Sequence, residues 1–208
     1  MKGILIILAG GRSQRMGQPK GLLKYHDFYW LEEQLLRAEQ AKFEKIIIVL
    51  GDDHALYFER MPVLESALQK FINYKSLKIS VVVNKNPQFG PFSSIVAALN
   101  SLKTKNDVFV LPVDVPLMAG NEIDKLRNSK YQISIPAYKN KKGHPVKLGY
   151  DFWKDLKLID LDAIDARLDH QIKHKDKKLI DIIDVVDAQA ILNLNTTEVW
   201  ADFLNLNN

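Results

Sequence analysis

The chain has 208 residues, 47% of them hydrophobic and 26% charged, a balance that suits one globular domain with a substantial core. The formal net charge is +4. No dense Lys/Arg block carries interleaved aromatics, which argues against a nucleic-acid platform, and the basic clusters at 139–142 and 173–178 read as turns. The absence of cysteine excludes disulfides, thiolate metal sites and a thiol nucleophile, and accords with a reducing compartment. The apolar opening, Ile4 to Leu8, is too short for a signal-peptide core or a membrane span, and no later run approaches about 18 apolar residues. A cytoplasmic protein without membrane or nucleic-acid contact is expected.

Lys2 to Leu8 reads as a central strand, almost wholly aliphatic and without alternation, as a parallel strand covered on both faces should be. A glycine-rich loop runs to about Lys20, and 21–26 is a short connector. Trp30, Leu31, Gln34, Leu35 and Ala38 give helical spacing over about 28–41, with Asp27 as its N-cap. Lys45 to Leu50 is a second buried strand ended by Gly51. The mixture from Asp53 to about Tyr74 predicts one or two helices punctuated by Pro62. Leu77 to Val83 is a third strand, 84–91 a turn-rich loop into a helix that ends at Asn100, and 107–113 a fourth strand. Four strand–helix alternations predict a parallel sheet with its site at the strands' carboxyl ends.

The second half is less regular. Tyr131 to Ala137 reads as a strand, 139–143 as a turn, and His144 to Leu148 as a return strand of antiparallel sense. Segments 152–161 and 163–173 look helical, Leu179 to Asp184 is a last strand, and Thr196 to Leu204 a closing helix. No repeat, low-complexity tract or linker interrupts this, so residues 1–208 are expected to form one domain.

The chemistry concentrates after the first strand. Buried strand, glycine pair and then cations is the order in which α/β proteins build a triphosphate cradle: glycine lets backbone amides approach the ligand, and the cations neutralise it. Pro19-Lys20-Gly21 lacks the Gly-Lys-Ser/Thr of a P-loop, and Gly-x-Gly-x-x-Gly is absent. Asp114 follows the apolar strand Val108 to Leu111 and precedes Pro116, and a carboxylate there suits Mg²⁺. No serine–histidine–acid arrangement, zinc spacing or thiol nucleophile is present.

The run Leu8-Ala9-Gly10-Gly11-Arg12-Ser13-Gln14-Arg15-Met16-Gly17-Gln18-Pro19-Lys20-Gly21-Leu22-Leu23 resembles the signature of the nucleotidyltransferases related to the molybdenum-cofactor guanylyl- and cytidylyltransferases. The resemblance extends to 84–94, 112–116 and 193–198. It implies a single Rossmann-like, three-layer α/β domain with a mixed, mainly parallel sheet, like the nucleotide-diphospho-sugar transferases. It also implies Mg²⁺-dependent transfer of a nucleotide from an NTP to a phosphate monoester, with release of pyrophosphate.

Leu8, Ala9, Gly10, Gly11 and Ser13 would line base and phosphates, with Asn84 and Gly90 completing the nucleotide pocket. Arg15 would hold the β- and γ-phosphates, where a planar guanidinium matches phosphate oxygens. Lys20 would sit at the α-phosphate, and Asp114 would hold the metal. Arg12 stays open between ligand contact and solvated cation. Ser93 and Ser94 stay open between acceptor contacts and helix caps. His144, in Gly143-His144-Pro145-Val146, would face the acceptor. Asn195, with Asn193 behind it, would be a second metal or phosphate contact.

Gly10-Gly11 and Gly90-Pro91 lean to the guanylyl branch, whereas 16–20, Ser93-Ser94 and 143–146 lean to the cytidylyl branch. GTP is slightly favoured, with molybdopterin as implied acceptor and transient contact with a molybdoenzyme or its chaperone. The alternatives are a sugar- or alcohol-phosphate acceptor, or a non-catalytic NTP-binding partner.

Overall fold

A computed structural model describes residues 3–11 and 17–206. The chain opens with β1 (Ile4–Leu8), followed by β2 (Lys24–Tyr25), β3 (Phe28–Tyr29), α1 (Trp30–Gln40), β4 (Lys45–Leu50), α2 (His54–Arg60) and α3 (Pro62–Ser66). Next come β5 (Ile72–Tyr74), β6 (Leu77–Val83), α4 (Pro91–Ser101), β7 (Val108–Pro112) and α5 (Gly120–Asn128). The last part holds β8 (Ile133–Tyr138), β9 (Lys141–Lys142), β10 (Val146–Leu148), α6 (Tyr150–Leu156), α7 (Leu168–Lys173), β11 (Ile180–Asp184) and α8 (Thr197–Leu206).

Among the described residues the main sheet runs β11-β8-β10-β7-β1-β4-β6-β5, with β9 paired to β8. β1 lies parallel to both β4 and β7, β4 parallel to β6, and β11 parallel to β8. β10 is antiparallel to β7 and β8. The mixed, mainly parallel α/β sheet is the one the alternating elements and the resemblance imply, and 144–148 holds the antiparallel return strand. From β1 the chain builds β4 and β6 on one side and then returns to place β7 on the other. The carboxyl end of β1 is therefore a topological switch point, where open α/β sheets leave a crevice.

Strand alternation explains the unbroken apolar runs. Leu5 and Ile7, Ile46 and Ile48, and Phe109 and Leu111 face one core with Trp30, Leu35, Tyr57, Ile123, Trp200 and Phe203. Ile4 and Ile6, Ile47 and Val49, and Val108 and Val110 face a second core with Phe92, Leu99, Phe152 and Trp153. Successive side chains point to opposite faces, so a strand buried on both cannot carry an alternating pattern. The layers are helices, sheet and helices.

Several local expectations are corrected. Asp27 does not cap α1, because β3 pairs with β2 and keeps the chain extended to Tyr29. Tyr29 is the N-cap instead, and its amide donates to the Glu32 carboxylate at 2.8 Å. The connector 21–26 leaves a 3-10 turn over Lys20–Leu22 and then supplies the first strand of that hairpin. The segment 53–74 holds two short helices, but its end is the edge strand β5, paired antiparallel with β6. An edge strand is half solvated and lacks the apolar run that marks the central strands. α5 was not anticipated: only Ile123 and Leu126 supply its buried apolar contact, and glycine, asparagine and charged residues fill the rest. In 163–173 the helix starts only at Leu168.

Candidate active site

The site begins where β1 and β4 stop. Gly10 and Gly51 lie backbone against backbone: a Cβ on Gly10 would come within 2.9 Å of Gly51 N, and one on Gly51 within 2.5 Å of Gly10 O. Both positions need glycine for steric reasons. This contact turns the chain out of the sheet and exposes the Gly10–Gly11 backbone to the crevice. Tyr57 supports the turn from α2, its hydroxyl donating to Ala9 O at 3.4 Å. Burial raises the Tyr57 phenol well above its usual range, so it stays protonated. Arg12, Ser13 and Arg15 fall outside the described residues.

Asp114 sits just past the carboxyl end of β7, on a loop that α1 holds by its carbonyls. Trp30 Nε1 donates to Val113 O at 2.6 Å. Gln34 Nε2 donates to Val113 O at 3.1 Å and Val115 O at 2.7 Å, and Gln34 Oε1 accepts from Leu117 N at 3.0 Å. Gln34 is fully buried, and a buried amide is stable only with such partners. Its four-residue spacing from Trp30 on an apolar face was visible in the sequence, where it read simply as helical packing.

The last segment closes over the same point. Tyr25, Trp30, Trp200 and Phe203 form an aromatic cluster, with Trp30 5.4 Å from both Trp200 and Phe203 between ring centroids. That docks α8, and Leu194 N donates to Asp114 O at 2.8 Å. Asn195 is thereby brought beside a residue 81 positions earlier in the chain (195 − 114). Lys20 joins them: its Nζ donates to Asp114 Oδ2 at 2.7 Å and also to Asn195 Oδ1. Both side chains of the Lys20–Asp114 pair are about one-fifth exposed, at 19% each, so this is a partly solvated cluster at a cavity wall.

That cavity has a volume of about 480 Å³ and is lined by Leu8, Ala9, Gly10, Gly11, Lys20, Gly90, Ser94, Pro112, Asp114 and Asn193, among others. Gly90 has φ +75°, the left-handed region that favours glycine, and lets the loop before α4 turn sharply. Asn84 is buried, and its amide is spent within this loop. Nδ2 donates to Ser93 Oγ at 2.8 Å and Ser94 Oγ at 3.0 Å, while Oδ1 accepts from Asn86 N at 2.9 Å. Ser93 Oγ donates to Gly90 O at 2.7 Å. Asn84 and Ser93 thus brace the wall, and Ser94 reaches the cavity.

His144 lies apart from this group and lines a second, larger cavity that shares Leu8, Pro91 and Pro112 with the first. Burial lowers its pKa below the ordinary histidine value, against a hydrogen bond to the Val110 backbone and the charge of Asp114, so the imidazole is neutral near pH 7. Its Nδ1 is buried without a hydrogen-bond partner among the described residues. No group of three His, Cys, Asp or Glu able to hold a metal occurs among the described residues, so a metal here would take most of its oxygens from ligand and water. No described helix is long and apolar enough to cross a membrane.

A glycine turn at the switch point, with an ammonium and a carboxylate facing it across the sheet, is the equipment of a nucleotide-handling enzyme. Residues 5–177 match the family model of the MobA-like NTP transferase domain. The chain therefore belongs to the MobA-like NTP transferase family and is a nucleotidyltransferase. It is similar to a molybdenum cofactor guanylyltransferase of Xanthomonas euvesicatoria, at 21% identity over 97% of this chain and 94% of the relative. A probable molybdenum cofactor guanylyltransferase of Clostridium perfringens is 31% identical over 65% of this chain and 59% of its own length. Among solved structures, a Mycobacterium tuberculosis protein in complex with manganese shares the fold, with a TM-score of 0.69 and 20% identity over 98% of each chain.

Proposed function

We propose that the chain transfers a nucleoside monophosphate from an NTP, GTP in preference to CTP, to a phosphate-monoester acceptor, using Mg²⁺ and releasing pyrophosphate. The names of its relatives point to molybdopterin as the acceptor. The observation that carries the reading is the Lys20–Asp114–Asn195 cluster facing the Gly10–Gly11 backbone across a cavity of about 480 Å³. In this reading the protein acts on small molecules in the cytoplasm, and its contact with a molybdoenzyme or a chaperone is transient.

The donor set fits a hard divalent cation. Asp114 Oδ2 and Asn195 Oδ1 already converge on one cationic centre, the Lys20 ammonium, and oxygen-only coordination by a carboxylate, an amide and phosphates is what Mg²⁺ accepts. When bound, Mg²⁺ would supply Lewis-acid neutralisation of phosphate charge. The chain's own groups do the rest. Backbone amides at Gly10 and Gly11 receive phosphate oxygens, and Lys20, released from Asp114, meets charge developing at the α-phosphate. Arg15 is assigned the β- and γ-phosphates from its place in the signature.

The acceptor needs no general base, because a phosphate monoester has a second pKa of about 6 and is largely dianionic at neutral pH. Its oxygen attacks the α-phosphorus, the bond from that phosphorus to the bridging oxygen breaks, and pyrophosphate leaves with the electron pair. The enzyme's work is alignment and neutralisation. A second acceptor class, an alcohol phosphate, is favoured by the apolar walls of the larger cavity. The test is pyrophosphate release with each NTP in turn, with and without molybdopterin. Release with GTP and molybdopterin supports the reading, and silence with every NTP and every acceptor ends it.

A further inference from the structure

Three buried polar side chains stand between β6 and α4, and their mutual hydrogen bonds leave one hydrogen without a place. Asn84, Ser93 and Ser94 are 3%, 1% and 6% exposed. Asn84 is tied to the end of β4, its backbone N donating to Leu50 O at 2.8 Å. The direction of its side-chain amide follows from a neighbour that can only donate. Asn86 N lies 2.9 Å from Oδ1, so that atom is the carbonyl oxygen and the amide nitrogen faces the serines. Nδ2 has two hydrogens and donates both, one to Ser93 Oγ at 2.8 Å and one to Ser94 Oγ at 3.0 Å. Each serine therefore accepts from Asn84 and has its own hydrogen still to place. Ser93 places it on Gly90 O at 2.7 Å. The Ser94 hydroxyl hydrogen has no acceptor among the described residues, and Ser94 lines the smaller cavity with Lys20, Asp114 and the Gly10–Gly11 backbone.

We propose that Asn84 is a positioning residue that makes the Ser94 hydroxyl a hydrogen-bond donor to an oxygen of the bound nucleotide. The proposal rests on reading the smaller cavity as the nucleotide site, and it adds the polarity of that cavity's α4 wall. A buried hydroxyl hydrogen left unpaired costs stability, so this wall selects a ligand lone pair on a phosphate, ribose or base oxygen. An N–H or ammonium group there would leave the hydrogen unpaired. Asn84 touches no ligand itself. Its effect passes through Ser94, because a hydroxyl whose oxygen already accepts from an amide turns its hydrogen away from that amide.

The test is calorimetric titration of the full chain, without acceptor, with GTP, CTP, guanosine and pyrophosphate in the presence of Mg²⁺. Wild type is compared with Ser94→Ala, Asn84→Asp and the double variant. Aspartate keeps the shape of asparagine and still accepts from Asn86 N, but it replaces the amide hydrogens by a second acceptor oxygen. The Ser94 hydrogen then turns inward and a lone pair faces the ligand. S94A and N84D should each weaken GTP binding by about tenfold, the effect of one buried hydrogen bond, with circular dichroism unchanged. In the S94A background no hydroxyl remains to turn, so N84D should have a smaller effect there than in wild type. An N84D effect of equal size in both backgrounds is that of the added charge alone and overturns the proposal. GTP and CTP binding by S94A at wild-type strength overturns it as well, while the nucleotide site stands. A loss shared by pyrophosphate supports a phosphate oxygen as the partner, and a loss shared by guanosine supports an oxygen of the nucleoside. A wild-type chain that binds none of the four ligands refutes the nucleotide site and the proposal together.

Discussion

Gln34 touches neither cavity, yet three of its hydrogen bonds hold the backbone on both sides of Asp114. Replacing it by leucine keeps the volume and removes those bonds. Val113 O keeps its bond from Trp30 Nε1, but Val115 O and Leu117 N lose the side-chain partner that holds them. Each buried unpaired group costs about 1–3 kcal/mol, so Gln34→Leu is expected to lose about 2–6 kcal/mol of stability. For a chain of this size that lowers Tm by at least about 4 °C. The catalytic effect is separable from the stability effect. A loop free to shift Asp114 by about 1 Å costs on the order of a hundredfold in kcat, and the Mg²⁺ concentration for half-maximal rate should rise. Circular dichroism melts and a metal titration of pyrophosphate release at 15 °C, where Q34L is still folded, measure both. A Q34L protein with wild-type Tm, kcat and metal dependence would refute the clamp. A lowered Tm with unchanged metal dependence would reduce Gln34 to a packing residue.

Lys20→Ala and Asp114→Ala should each cut kcat by about a hundredfold or more with circular dichroism unchanged, since both groups are partly solvated at a cavity wall. Near-full turnover in either would misplace the site. Gly10→Ala places a methyl against the backbone of Gly51 and Leu50, neither of which can rotate away, and should destabilise by about 1–3 kcal/mol in a melting curve. Burial holds the folded-state pKa of His144 below the ordinary histidine value of about 6.5, so between those values the unfolded chain binds a proton that the folded chain does not. Its contribution to stability is therefore present above about pH 6.5 and is lost as pH falls towards the folded-state value. His144→Phe should flatten the Tm-against-pH profile in that window, and an unchanged slope would show that another group titrates there.

The central strands were legible because their burial is double-sided. An unbroken aliphatic run such as Lys45 to Leu50 has few other uses, and β4 and β6 occupy the residues the pattern marks. The peripheral elements were not. β5 lies at an edge, α5 buries only one narrow stripe, and the β2–β3 hairpin is too short for its pattern to show. Of the candidate residues, Lys20, Asp114, Gly10 and Gly11 line the smaller cavity, whereas Asn84 and Ser93 turn inward to brace its wall. Residue type alone could not separate those outcomes, because the amide of Asn84 can serve a ligand or its own loop equally well. Gln34 shows the reverse: its polarity marked it as unusual on an apolar helix face, but its partners are backbone groups 79 to 83 residues away.

What the amino-acid order determined by itself was local: which runs must be buried on both faces, where glycine must stop a strand, and a signature dense enough to name the reaction class. Those features are written in contiguous residues because backbone sterics and side-chain alternation act over a few positions. Only the folded chain decided which distant groups share a cavity. Lys20, Asp114 and Asn195 meet because β1 and β7 are neighbours in the sheet and the aromatic cluster docks α8 beside them. The larger cavity beside His144 exists because β10 inserts antiparallel between β7 and β8 and carries the sheet on to β11, laying residues from five strands side by side. No periodicity along the chain records that adjacency, since it is a property of strand order.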